Sequence, residues 1–302
     1  MAQYGKDDDR KDVGEKAERE TAEAKSPRRE DVDPERELTE EEKDEVVDKQ
    51  PPRAQVLHET IRIQGCHELE RGVGALWWSA LAAGLSIGLS MMAMGLLSSI
   101  SKGHPLSTMI YSLGYPVGFL AIILARQQLF TENTITAVLP VMSDPTASMM
   151  GKLMRLWGVV LAGNMAGAMI FAFAALKLPI FDAHTDEAFL DIGREVMKQG
   201  AYPMFAKAIV SGWMIATMVW LIPAAEGAKI WVIGIITYCM ALGSFTHIVV
   251  GTAEVSYLVF AGELSWGEFW WPFALPTLAG NIVGGSLIFA LISHAQIRSE
   301  IP

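Results

Sequence analysis

Cysteine is nearly absent: Cys66 and Cys239 are the only two in 302 residues, one in a polar segment and one in an apolar run. That excludes a disulfide framework and a thiolate metal site. No apolar stretch precedes residue 74, so no signal peptide is expected and the first apolar run serves as the insertion signal. The pair Arg28–Arg29 lacks the apolar segment that a twin-arginine signal needs. Phosphate loops, nucleophile elbows and metal-ligand spacings are missing too, so the sequence points to no enzyme, no cofactor and no nucleic-acid partner. His58, His67, His104, His184 and His294 are scattered over polar segments and run ends, where solvated side chains are the expectation.

Charge is scarce only in places. The formal net charge is −10 although 51% of the residues are hydrophobic, because acidic and basic residues crowd into residues 1–50. From about Gly72 they nearly vanish inside long apolar runs. The chain therefore reads as a disordered charged tail over 1–50, an amphipathic helix or linker over 51–72, a membrane domain over 73–295 and a short C-terminus over 296–302.

About 20 apolar residues cross a bilayer as a helix. The first such run is Gly74–Ile100, with Trp77 and Trp78 at its interfacial end. A second, from about Pro105 to Val141, is too long for one helix and is interrupted at "ARQQLFTEN". A third covers Leu153–Leu176, and a polar connection leads to a fourth, Phe205–Ile222. The fifth starts near Ala228, breaks around Gly243–Gly251 and resumes to Phe260; the sixth is Pro272–Ser293. Six spans put both ends on one side. Arg53, Arg62, Arg71, Lys152, Arg155, Lys229 and Arg298 then share the tail's side, against Lys102, Lys177, Arg194 and Lys198, which favours cytoplasmic termini.

"AGNMAG" at Ala162–Gly167 returns as "AGNIVG" at Ala279–Gly284, with Asn164 and Asn281 in matching places. Each copy closes a three-span half, and three is odd, so the halves run in opposite senses through the membrane. The fold class expected is an all-α membrane protein with an inverted 3+3 repeat and broken second and fifth helices. Irregular backbone at membrane depth is tolerated where it is buried or lines a cavity, and paired breaks mark a permeation site. Thr131 and Asn133 in one break, and Ser244, Thr246 and Thr252 in the other, can cap freed backbone groups.

With these residues in view, the chain resembles the formate/nitrite transporter family over roughly residues 70–295. The "LFT" of Leu129–Thr131, the "SFTHIVVG" around His247, and the pairs Gly163–Asn164 and Gly280–Asn281 carry the resemblance. It implies a homopentamer of aquaporin-like protomers in a bacterial inner membrane, passing a small monovalent anion. It places His247 at the centre of the pore, with Thr131 in the signature loop that lines it and constrictions formed by Tyr115 and Phe119, by Leu129 and Phe130, and by Met240. Thr246 stands where members that transport usually carry an acid, and Gly251 where they usually carry Asn. The basic residue of the family's vestibule falls near Gly200, with Lys207 the candidate and a lysine snorkelling to the interface the alternative. A dry constriction blocks a carboxylate far more than its neutral acid, because desolvating a charge costs several kcal/mol or more. His247 is then the candidate proton donor or electrostatic filter. The competing expectation is a slow or non-transporting scaffold acting through the tail.

Overall fold

The interior of helix α2, Val73–Ser101, pairs its backbone N–H and C=O groups within itself, which is what a bilayer demands of any segment crossing it. The computed structural model describes residues 38–39, 41–43 and 52–299. In the first unit, Met1–Pro51, Thr39 accepts at its hydroxyl from the Glu42 N–H and donates its own N–H to the Glu42 carboxylate. The rest of the expected disordered tail lies outside the described residues. The second unit, Pro52–Pro302, is helical wherever it forms regular structure among the described residues.

In chain order it runs α1 (Ala54–Glu70), α2, α3 (Ser107–Ser112), α4 (Pro116–Leu124), α5 (Val138–Ser143), α6 (Ala147–Lys177), α7 (Ala183–Met197), α8 (Ala201–Leu221), α9 (Lys229–Leu242), α10 (Ile248–Ala261) and α11 (Trp266–Ile297). Five stretches are long and apolar enough to span a membrane: α2, Ser107–Leu124, α6, Ala201–Ala224 and α11. Two shorter apolar helices, α9 and α10, follow one another across a break.

Several boundaries differ from the sequence reading, each for a local reason. Helix α6 begins before Leu153 because the Thr146 hydroxyl accepts from the Met149 N–H and caps it. The polar connection after it is a helix, α7: Asp182 caps its start, and Ala188, Phe189, Ile192 and Gly193 bury one face against α10 and α2. The last span starts at Trp266 under a capping box from Ser265 and Glu268, and loses helical geometry at Trp271, directly before Pro272.

Small residues let the long helices touch. A Cβ on Gly84 of α2 would run into the Asn164 carbonyl of α6, and one on Gly167 into the Leu81 carbonyl. The pair α8 and α11 repeats this: Gly212 lies against the Asn281 carbonyl and Gly284 against the Ile209 carbonyl. Where lipid removes the hydrophobic force between helices, such close backbone packing holds them together.

Helix α1 lies at one end. His58, Ile61, Gly65 and Leu69 form its buried face. Arg155 of α6 donates to the Leu69 and Arg71 carbonyls, and Lys152 pairs with Glu70 at 2.6 Å, which holds the Glu70 carboxyl below its ordinary range. His58 is buried, contrary to the solvated histidine expected, and its Nε2 lies 3.3 Å from Nδ1 of His294.

Candidate functional site: two vestibules and the layer between them

The two breaks are built alike. After α4 the chain turns through Arg126 at φ 53°, and after α9 through Ser244 at φ 49°; among the described residues these are the two non-glycine residues in the left-handed region. Each carries strain of about 1–3 kcal/mol, which the surroundings must over-determine. The asparagines of the repeated motif do so. Asn164 Oδ1 accepts from the Phe130 N–H at 2.8 Å, while its Nδ2 donates to the Ala80 and Gln128 carbonyls. Asn281 Oδ1 accepts from the Ile248 N–H at 2.9 Å, while its Nδ2 donates to the Ala208 and Thr246 carbonyls. Each asparagine thus supplies a donor and an acceptor to a stretch that has no helix to supply them, and ties that stretch to a neighbouring helix through Ala80 or Ala208.

The second break is shorter than the sequence suggested. It spans Gly243–His247, and Gly251 lies inside α10. The helix can start at Ile248 because two side chains serve its first amides: Asn281 takes Ile248, and His247, the N-cap, takes Val250 at Nδ1, 3.4 Å away. Gly251 is required by packing, since a Cβ there would stand 2.7 Å from the Phe273 ring. Thr246 is tied to α8: its hydroxyl donates to the Met204 carbonyl at 3.0 Å and its own carbonyl accepts from Ser211.

His247 joins the two breaks. Its Nε2 lies 2.7 Å from the Thr131 hydroxyl of the first break. Because Nδ1 accepts from Val250, the neutral ring carries its hydrogen on Nε2 and donates it to Thr131. Phe119 packs edge-on against the imidazole, centroids 5.2 Å apart, and Tyr115 packs on Phe119 at 5.4 Å. Only 2% of His247 is exposed, and Phe119, Leu129, Phe130 and Thr131 are buried.

A cavity lies to either side of this layer. Toward α1 is one of about 650 Å³, whose lining includes Glu68, Arg126, Gln128, Glu132, Asn133 and Lys229. Its polar groups are chained: Gln128 Nε2 donates to Glu68 at 2.8 Å, Asn133 Nδ2 to the Gln128 side chain at 3.0 Å, and Thr136 to Asn133 at 3.2 Å. Away from α1 is a smaller one of about 70 Å³, reaching His247 and Met240 at its base. Tyr111, Tyr115, Gln199, Glu254 and Phe273 also line it.

The structure therefore brings together His247, Thr131, Phe119 and Tyr115 in direct contact. It sets Thr246, Met240 and Gly251 around the small cavity, and Leu129 and Phe130 in the closed layer, Phe130 against Trp157. Lys207 is half-buried on α8 and lines neither cavity. Two residues that the sequence reading passed over stand inside: Glu132 and Glu254, one per cavity. The signal was present, since a carboxylate within an apolar run is rare at membrane depth and is by default a functional candidate.

Comparison with known proteins gives a consistent picture. Residues 55–295 match the family model described as formate/nitrite transporter. The chain is 58% identical to the inner membrane protein YfdC of Escherichia coli over 84% of its own length and 82% of that protein. It is 27% identical to a probable formate transporter of Methanothermobacter thermautotrophicus, over 63% of this chain and 76% of that one. Its fold is similar to a pentameric formate channel solved with formate bound, at a TM-score of 0.66 and 19% identity, covering 76% of this chain and 98% of the other.

Proposed function

The chain belongs to the formate/nitrite transporter family, an anion channel and transporter family, and from that premise we propose a route for its cargo. A small monovalent anion or its conjugate acid crosses a bacterial inner membrane between the two vestibules, through the layer at Thr131 and His247. The observation that carries this reading is the Thr131–His247 contact, a polar pair sealed in an apolar layer with a cavity on either side. Phe119, Tyr115, Leu129, Phe130 and Met240 form the dry walls, so a charged cargo pays a desolvation penalty of several kcal/mol that a neutral one escapes.

The same reading takes the protomer as six spans in an inverted 3+3 repeat, α9 and α10 together making the fifth. The matching roles of Asn164 and Asn281, and the matching turns at Arg126 and Ser244, support it. Both termini are then cytoplasmic. Five protomers assemble, as in the pentameric formate channel whose fold this chain shares.

Uptake of formate, nitrite, acetate and lactate into proteoliposomes at two pH values tests this. His247→Asn is expected to lower flux and flatten its pH dependence. A wild-type protein that moves none of the four, or a variant indistinguishable from it, would overturn the assignment.

A further inference from the structure

His247 has little freedom to deliver a proton. One nitrogen caps α10 through the Val250 N–H and the other donates to Thr131, so a proton gained at Nδ1 would break the cap. The small vestibule contains a different candidate. Glu254 lies two helical turns beyond His247 on the same helix, so both face the cavity. It is only 5% exposed, and no hydrogen bond or ion pair from the described residues reaches its carboxyl. Across the same cavity the Gln199 side-chain oxygen is buried and has no hydrogen-bond partner among the described residues.

We propose that Glu254 exchanges a proton with a small monocarboxylate cargo in the vestibule opposite α1. The proposal rests on the transport reading above and narrows its cargo to carboxylic acids. No lysine or arginine lines this cavity among the described residues, so an arriving anion finds no fixed positive charge to hold it. It meets a carboxyl instead. Two carboxylates at hydrogen-bond distance cannot both ionise, and one proton is shared between them. The Glu254 O–H bond breaks as an O–H bond forms on the cargo: Glu254–COOH and R–COO⁻ become Glu254–COO⁻ and R–COOH. Donor and acceptor are the same functional group, so the transfer is closely balanced, as efficient proton transfer requires. The neutral acid's hydroxyl then donates to Gln199, and the acid enters the dry layer uncharged. At the mouth Glu254–COO⁻ takes a proton from hydronium and releases water, which restores Glu254–COOH. A volume of about 70 Å³ holds a few waters or one such acid.

The charged and titratable surroundings are sparse. On α10 they are His247 and Tyr257, the latter donating to Asp186. Helix α7 brings Glu195, which is paired with Lys198, and the network of Arg194 with Glu187, Asp191 and Glu263. Tyr111 and Tyr115 stand across the cavity. Helix α2 carries no titratable side chain; α6 carries Lys152, Arg155 and Lys177 near its ends; α11 carries Glu268 and His294 near its ends.

The test uses full-length protein in proteoliposomes, radiolabelled formate and acetate as probes, and a trapped pH dye to follow proton co-entry. Glu254→Gln is expected to cut uptake about tenfold or more near neutral pH, with dye acidification falling in step. At acid pH the bulk already supplies neutral acid, so the loss there shrinks to about twofold, and Glu254→Asp restores the neutral-pH rate. A monodisperse size-exclusion profile shows that each variant is folded. Equal losses at both pH values, no loss, a gain in anion flux, or loss of methylammonium or sodium uptake instead would each overturn the proposal. A wild-type protein inactive toward every anion sinks the transport reading itself; an active wild type with an indifferent Glu254→Gln sinks this inference alone.

Discussion

At the scale of single residues, the site is held by groups with no spare partners. Asn164 satisfies one buried N–H and one buried carbonyl at the first break, and ties both to the Ala80 carbonyl of α2. Asn164→Ala orphans the Phe130 N–H and the Gln128 carbonyl, while the Ala80 carbonyl keeps its helical partner, and each unpaired buried group costs about 1–3 kcal/mol. A fall of several degrees in the melting temperature of the detergent-solubilised protein is expected, with Asn281→Ala behaving alike at the second break. Asn164→Asp keeps the acceptor but not the donors, and should fall between wild type and alanine. Gly251 makes the opposite demand, since space there is already filled by Phe273. Gly251→Asn overpacks the contact at a cost of about 1–3 kcal/mol. Adding Phe273→Ala should return part of that loss, and a double-mutant cycle of thermal melts measures the coupling; strictly additive effects would refute the packing account.

At the scale of elements, α1 is docked through a pair of imidazoles. Burial, followed by the nearby charge of His294, lowers the His58 pKa; Glu59 opposes this and Arg62 adds to it. A free histidine titrates near 6.5. The undocked helix therefore binds more protons than the docked one as pH falls past that value, and docking weakens on acidification. Amide-exchange protection factors over Ala54–Glu70, taken relative to the intrinsic rate at each pH, should fall below about pH 6.5, and His58→Gln should remove most of that dependence. Protection that rises at acid pH would contradict the sign. What the sequence disclosed divides along the same line. Long apolar helices and the repeated "AGN" motifs are legible because a membrane imposes length and close packing on the chain itself. The start of α10 at Ile248 was not, because its caps include Asn281, far along the chain. The burial of His58 depends likewise on His294. Glu254 stood in plain view three residues after "SFTHIVVG", but which way it faces depends on Phe273 and α7 packing against its helix.

At the scale of the molecule, the parity of crossings decides whether the two breaks can meet from opposite faces. Helices α9 and α10 have 14 residues each, about 21 Å apiece, and neither alone crosses a hydrocarbon core of about 30 Å. Placed end to end through Gly243–His247 they exceed it, and the six-span reading proposed above counts them as one crossing. Six crossings leave α1 and the end of α11 on one face. If α9 and α10 instead entered and left by the same face, the five remaining crossings would separate them. With Cys66 and Cys239 replaced by serine, single cysteines at the exposed positions Arg53, His184 and Ala295 separate the cases. A membrane-impermeant maleimide applied to spheroplasts should label His184→Cys at once, and Arg53→Cys and Ala295→Cys only after permeabilisation. Labelling of Ala295→Cys in intact spheroplasts would set the ends on opposite faces. That result would overturn the inverted 3+3 repeat proposed above.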